Sequence, residues 1–319
     1  MKSVGIVVAT YKPNMTYLEE QFKSLEEQTY PNYHIYIRDD SADDDYFKQI
    51  ATLATTIFTR PFTIVQNDVN MGSTKTFELL TSDCQQEYIA YCDQDDRWHH
   101  QKIEKLVYKL EQEKALLVYS DLAIIDENGQ FVSSSFATVN KRIYHVYGDN
   151  TFSFFIRRNC MPGCSMLMLT EIAKKAMPFY EEYVHDHWLA LVAASMGRIA
   201  FIKELLIDYR LHQHNQIGKA ILKGIDTVDD YIPLKLVPEQ DKFRALALRF
   251  GKTYQKEIDK ELSFVGQRIQ AFQTRKFKDI WSLTKYLKED KTLVLFEIAL
   301  TILPKYLGNK MIRRIKSGG

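Results

Sequence analysis

"YIAYCDQDDRWHHQK", residues 88–102, decides how the chain is read. Tyr88 to Cys92 form an apolar run of strand length, and the next four positions hold three carboxylates, Asp93, Asp95 and Asp96. Like charges this close repel one another unless a cation or hydrogen-bond donors share them. Acids placed directly after a buried strand suit an α/β sheet, where ligands gather beyond the carboxyl ends of the strands. The plain alternative is a solvated acidic turn with Asp96 as N-cap of the next helix.

Working towards the N-terminus, the same pattern repeats. "VGIVVA" (4–9), "YHIYIRDD" (33–40) and "FTIVQN" (62–67) read as strands, separated by helical stretches at 15–28, 44–55 and 73–82. Thr10 and Tyr11, Asp39 and Asp40, and Asn70 each follow a strand, so these polar residues share one edge of the sheet with the acids at 93–96. Towards the C-terminus a helix runs from Trp98 to about Glu113. "LLVYSD" and "LAIIDENGQFV" then form a strand and part of a hairpin turning at Glu127, Asn128 and Gly129. "DHWLALVAASMG" is an amphipathic helix ending at Gly197, and "RIAFI" with "LLIDYRLH" closes the domain. The alternation predicts an α/β, mostly parallel sheet over residues 1–218. Residues 219–319, rich in Lys, Arg, Leu, Phe and Tyr at helical spacing, form a helical C-terminal region.

Composition agrees with one α/β domain plus an appendage: 45% of the 319 residues are hydrophobic, enough for a sizeable core. A net charge of +1 gives no basic field of the kind nucleic-acid binders use, so no nucleic-acid partner is expected. Cys84, Cys92, Cys160 and Cys164 lack C-x-x-C spacing and read as reduced, buried thiols. "MKSVGIVVATYKP" is too short in its apolar run for a signal peptide, which places the protein in the cytoplasm.

"ATY" (9–11), "RDDSADD" (38–44), "NMGSTKTFE" (70–78), "DQDDRW" (93–98) and "HDHW" (185–188) resemble, in order, the motifs of inverting family 2 glycosyltransferases of the GT-A fold. The likeness spans about residues 4–218. Within that family "DQDDRWHHQK" and "HDHWLALVAASMGRI" are similar to bacterial rhamnosyltransferases of cell-wall and capsule polysaccharides.

The resemblance implies that Thr10 and Tyr11 line the nucleotide, and that Asp39 or Asp40 hydrogen-bonds a pyrimidine, selecting a UDP- or dTDP-sugar. Asn70 joins the donor-binding set. Asp93 contacts the ribose, Asp95 holds Mg²⁺ or Mn²⁺, Asp96 lies beside the donor sugar, and Lys102 steadies the loop. Asp186 takes the position of the catalytic base. Arg210 is a candidate phosphate clamp, and His212 a third metal ligand or phosphate contact, with His214 beside it. Two departures touch base binding and sugar preference: "DDSADDD" lacks a glycine after the paired acids, and Thr76 stands where similar rhamnosyltransferases often carry Asn.

Chemistry agrees with these roles. Direct displacement at an anomeric carbon needs one carboxylate to take the acceptor proton and a cation for the departing diphosphate, and hard oxygen ligands suit Mg²⁺ or Mn²⁺. Asp186 is also placed to cap its helix. His185 and His187 read as surface neighbours of the base, Gly163 as a point of close backbone approach to a sugar, and Trp98 and Trp188 as hydrophobic anchors. The tail at 291–319 joins an apolar stretch to Lys305, Lys310, Arg313, Arg314 and Lys316. That combination suits the inner face of an anionic membrane, or packing on the chain itself or a second copy in a homo-oligomer.

The reading that follows is transfer of L-rhamnose from dTDP-β-L-rhamnose to a lipid-linked glycan by a peripheral enzyme. The alternatives are a UDP-hexose transferase (galactose, glucose or N-acetylglucosamine) and a non-catalytic nucleotide-sugar-binding protein.

Overall fold

β1 (Val4–Thr10) is buried at every position but Ala9, as expected of a strand covered on both faces. Its partner β2 (Tyr33–Asp39) alternates buried and half-buried residues. In the computed structural model, which describes residues 1–139, 144–212, 222 and 224–316, these strands alternate with helices whose starts are fixed by side-chain caps. Asn14 accepts from the N–H groups of Thr16 and Tyr17 at the start of α1 (Met15–Glu26). Asp43 does the same for Asp45 and Tyr46 at α2 (Asp44–Ile57).

The chain continues through β3 (Phe62–Gln66), α3 (Ser73–Asp83), the fully buried β4 (Tyr88–Cys92), β5 (Arg97–Trp98) and α4 (Lys102–Glu113). There follow β6 (Leu117–Ile125), β7 (Phe131–Ser133), α5 (Phe136–Val139), α6 (Phe152–Phe155), β8 (Met166–Leu169), α7 (Thr170–Lys175), α8 (His185–Met196) and β9 (Ile199–Arg210).

The strand order is β3-β2-β1-β4-β8-β6-β9-β5, with β7 paired to β6. β3, β2, β1 and β4 run parallel, as do β6 and β9. β8 is antiparallel to both neighbours, β4 and β6. Its four-residue apolar run carries no directional signal, so this insertion is not legible in the pattern. Two further differences concern lengths. Residues 199–210 form one strand rather than two, with register shifts after Ser120 and Asp121 of β6 absorbing the irregularity. Arg97 and Trp98, expected to lead into a helix, instead pair with Asp208 and Ile207. The α/β architecture with a helical C-terminal region is as expected.

The chain divides into two compact units, Met1–Gln213 and His214–Gly319. The expected boundary near residue 218 and His214 lie outside the described residues. The first unit holds a large core in which Leu18, Phe22, Ile35, Ile103, Leu106 and Ile207 are fully buried. All four cysteines are buried free thiols.

In the second unit α9 (Val237–Thr274) is kinked at Tyr254. It is followed by α10 (Phe277–Ser282), a 3₁₀ turn (Leu283–Tyr286), α11 (Lys291–Ile302) and α12 (Lys305–Lys316). Phe264, Ala271, Ile280, Leu283, Tyr286 and Val294 make its core. Arg268 and Glu297, both 0% exposed, form an ion pair through Nε and Nη2, joined by the Tyr231 hydroxyl and by Glu239. On α12 the buried residues are Gly308 and Ile312; a Cβ on Gly308 would lie 2.6 Å from Val228. Lys305 pairs with Asp229 and Lys316 with Asp226. Part of the tail's apolar surface, Val294, Leu300 and Ile312, is thus buried, while Leu295, Ile302, Tyr306, Leu307 and Ile315 stay exposed. Among the described residues no helix is long and apolar enough to cross a membrane.

Candidate active site

Parallel pairing brings the expected residues to one edge. Thr10 ends β1 in register with Asp39 at the end of β2, and Val8 is level with Cys92, so residues 93–96 emerge beside Thr10. The Thr10 hydroxyl donates to Asp39 Oδ1 at 3.0 Å, and the same oxygen accepts from Ser41 Oγ at 2.7 Å. Among the described residues Asp39 Oδ2 is buried with no hydrogen-bond partner, an arrangement that costs free energy unless a ligand donor meets it. Asp40 differs: its carboxylate accepts from Asn67 Nδ2 and from the N–H groups of Met71 and Gly72, each at 2.8 Å, and Asn70 donates to its carbonyl. Of the two candidates for the pyrimidine, Asp39 keeps an open acceptor, whereas Asp40 and Asn70 hold the loop before α3. Tyr11 is 49% exposed, and its backbone is tied to the Gln94 side chain in both directions.

The acidic loop is neither solvated nor a helix cap. Asp96 is 0% exposed and accepts from the Arg210 N–H at 3.1 Å, while α4 begins six residues later at Lys102. Burial, then the charges of Asp95 and Asp186, push Asp93 up to about 7, against the Cys164 thiol and Lys102. Burial followed by Asp95 and Asp93 raises Asp96 well above the carboxylate range. Lys102 is buried among them, its Nζ 2.9 Å from the centroid of the Trp98 ring and donating to the Cys164 carbonyl. Desolvation pulls it down to about 7, opposed by the surrounding cysteines and aspartates. Lys102 is thus a buried cation beneath the loop, between Trp98 and the Cys164 carbonyl.

Asp95 Oδ2 lies 2.7 Å from His212 Nε2, both side chains about one-sixth exposed or less. Among the described residues, Asp93, Asp96 and Cys164 also bring ligand-type atoms within 4.8 Å of one another. The Cys164 thiol is raised well above its usual pKa by burial and then by these acids, so it stays protonated and suits a hard cation poorly. The carboxylate oxygens of Asp93, Asp95 and Asp96 are of the kind that Mg²⁺ or Mn²⁺ takes, and His212 meets Asp95 beside them.

Arg210 departs from the expected phosphate clamp. Its side chain is 1% exposed; Nε donates to the Asp95 carbonyl, Nη1 to those of Asp126 and Glu127, and Nη2 to Glu20. The guanidinium lies over Tyr17, 4.3 Å from its ring centroid. Its donors fix the acidic loop and the β6–β7 turn. Glu20, Tyr17 and Gln94 were missed in the sequence because nothing in an ordinary helix face or loop marks them before the fold is known.

Asp186 sits in the first turn of α8 and is not the N-cap, a position held by Val184. Its Oδ2 accepts from the Gly163 N–H at 3.1 Å and its Oδ1 from the His187 N–H. Burial raises it to about 6 in spite of these donors, in the range of a general base near neutrality. His185 and His187 are not surface neighbours. His185 is 5% exposed and lies against Phe77, ring centroids 4.0 Å apart, and His187 Nε2 bonds the Phe155 carbonyl. A Cβ on Gly163 would stand 2.5 Å from His185 Nε2, so this glycine makes room for the protein's own imidazole. Trp98 and Trp188 are buried anchors, as expected.

Residues 5–175 match the family model "Glycosyl transferase family 2". The chain is 24% identical over 240 residues to an Escherichia coli UDP-Glc:alpha-D-GlcNAc-diphosphoundecaprenol beta-1,3-glucosyltransferase, WfgD, covering 72% of this chain and 86% of the relative. It is 25% identical over 269 residues to the Shigella flexneri dTDP-rhamnosyl transferase RfbG, covering 79% and 82%. In structure it is similar to residues 1–349 of S. aureus TarS crystallised with UDP-GlcNAc, with a TM-score of 0.61 at 13% identity over 99% of this chain and 91% of that one. With a family match over more than half its length, on the strands that carry Thr10, Asp39 and the acidic loop, this chain belongs to glycosyl transferase family 2.

Proposed function

We propose that the chain is an inverting, cation-dependent hexosyltransferase acting on a lipid-linked glycan. The observation that carries this reading is the gathering at one sheet edge of an open acceptor on Asp39, the Asp95–His212 pair, and Asp186 close enough to raise Asp93. Asp39 Oδ2 receives a ring N–H of the pyrimidine, with Thr10 and Ser41 fixing the other oxygen. Asp186 removes the proton of the acceptor hydroxyl as that oxygen attacks the anomeric carbon. The bond to the diphosphate breaks in the same displacement, and the nucleoside diphosphate leaves. One displacement inverts the anomeric centre. Mg²⁺ or Mn²⁺, when held by Asp95 with His212, supplies positive charge for the leaving diphosphate.

L-Rhamnose from dTDP-β-L-rhamnose is the donor we favour, supported by the stretch at 185–199 and by RfbG, whose match covers 79% of the chain. UDP-glucose is the second reading, supported by the names of the E. coli relatives WfgD and WfaP. Those names also support a diphosphate-lipid acceptor, reached from the inner face of the cytoplasmic membrane. A thermal-shift panel of dTDP-rhamnose, UDP-glucose, UDP-galactose and UDP-N-acetylglucosamine, with and without Mn²⁺, tests the reading. One donor should stabilise the chain strongly and only with the cation, and Asp95→Ala should remove the cation's effect. A panel in which no nucleotide sugar shifts the melting temperature counts against sugar transfer.

A further inference from the structure

Sugar transfer leaves Phe277 and Trp281 unexplained. α9 ends at Thr274, Arg275 turns the chain in the left-handed region (φ 49), and Lys276 precedes the six-residue α10. Spacing of i and i+4 puts Phe277 and Trp281 on one helix face. Their rings stack at 5.8 Å and 20°, yet they are 77% and 63% exposed. The opposite side of this segment is satisfied, since Ile280, Leu283 and Tyr286 fill the core of the unit. No internal packing accounts for two large aromatic side chains held in water.

Their surroundings are basic. Arg275, Lys276, Lys278, Lys285 and Lys288 are all exposed. The neighbouring acids are half-buried and engaged within the unit: Asp279 accepts from Gln270 and Thr274, Glu289 pairs with Lys260, and Asp290 caps α11. The outward field is therefore positive around an apolar centre. Aromatic rings that settle at the headgroup level, ringed by cations, complement an anionic bilayer surface.

We propose that the α10 face docks the chain on an anionic lipid bilayer, with Phe277 and Trp281 entering the headgroup region and Arg275, Lys276, Lys278, Lys285 and Lys288 facing lipid phosphates. The contact lies on α10; the tail helices also expose apolar residues, Ile302 and Tyr306 among them, and the Phe277→Ala with Trp281→Ala variant tells the two surfaces apart. It does not depend on the sugar-transfer reading, and its test involves neither donor nor acceptor.

The test uses the full chain with vesicles of phosphatidylcholine alone or mixed with phosphatidylglycerol. Of the three tryptophans, Trp98 and Trp188 are only 4% and 2% exposed, so emission changes on adding vesicles report Trp281. Expected are flotation with the anionic vesicles only, a blue shift of emission, and quenching by lipids brominated along the acyl chain. Phe277→Ala with Trp281→Ala should weaken partitioning about tenfold or more. Lys276→Glu with Lys278→Glu should weaken it about twentyfold or more, each cation near such a surface being worth roughly fivefold. Three results overturn the proposal: equal binding to neutral vesicles, flotation without quenching, or tryptophan emission already blue-shifted by self-association in the absence of lipid. The quenching measurement uses the unaltered chain and holds whether or not a variant folds.

Discussion

At Asp186 the carboxylate combines two opposed demands. Burial makes it basic enough to take a proton, while two backbone N–H groups keep it aimed and partly offset the desolvation. Asp186→Asn should leave donor binding within about twofold and lower transfer by roughly a hundredfold to ten-thousandfold, the usual weight of a general base. Isothermal titration beside a transfer assay separates the two; transfer at the wild-type rate refutes the role. The pH profile follows from the same group. Ionised Asp186 is the working form, so kcat/KM should fall about tenfold per unit as pH drops below about 6. An acid limb near 4 would show a carboxylate that burial does not perturb. Stability runs the other way: a carboxyl raised in the folded state binds its proton more tightly than the unfolded chain does, so its contribution declines as pH rises from about 4 to about 6.

At the level of elements, the loop at Gly163 shows how a helix and a neighbouring turn set the base. Gly163→Ala drives a methyl against His185, which Phe77 and Tyr91 already flank. The overpacking should cost about 1–3 kcal/mol in urea unfolding and disturb the N–H that Asp186 accepts. Adding His185→Ala should recover part of the transfer activity, and an unchanged Gly163→Ala protein would count against the contact. The strands and helices before residue 113, β5 excepted, were legible because apolar runs and period-3.6 patterns agree there, with Asx caps at α1 and α2. So was the strand-end position of Thr10, Asp39, Asp93 and Asp95, which parallel order dictates. The pattern is silent on the rest: the β8 insertion depends on a short apolar run, and the fate of Arg210 depends on Glu20, which lies 190 residues away in sequence. A guanidinium near a strand end reads equally well as a phosphate ligand until its acceptors are known.

Across the whole molecule, the two units solve the problem of a core differently. The first buries a broad sheet, while the second places an ion pair in its centre. Arg268→Met leaves Glu297 buried without its partner and should cost about 3–5 kcal/mol, whereas combining it with Glu297→Leu should restore most of the loss. Urea or calorimetric melting reads both variants, and a double variant no better than the single would point to the Tyr231 and Glu239 bonds instead. The placement of Arg210 carries a consequence for synthesis. It ends the last strand of the sheet yet staples α1, the acidic loop and the β6–β7 turn together. A polypeptide lacking β9 keeps every aspartate of the loop but loses the backbone N–H that Asp96 accepts and the guanidinium bonded to the Asp95 carbonyl. The loop's fixed geometry is thus completed only when the final strand is in place.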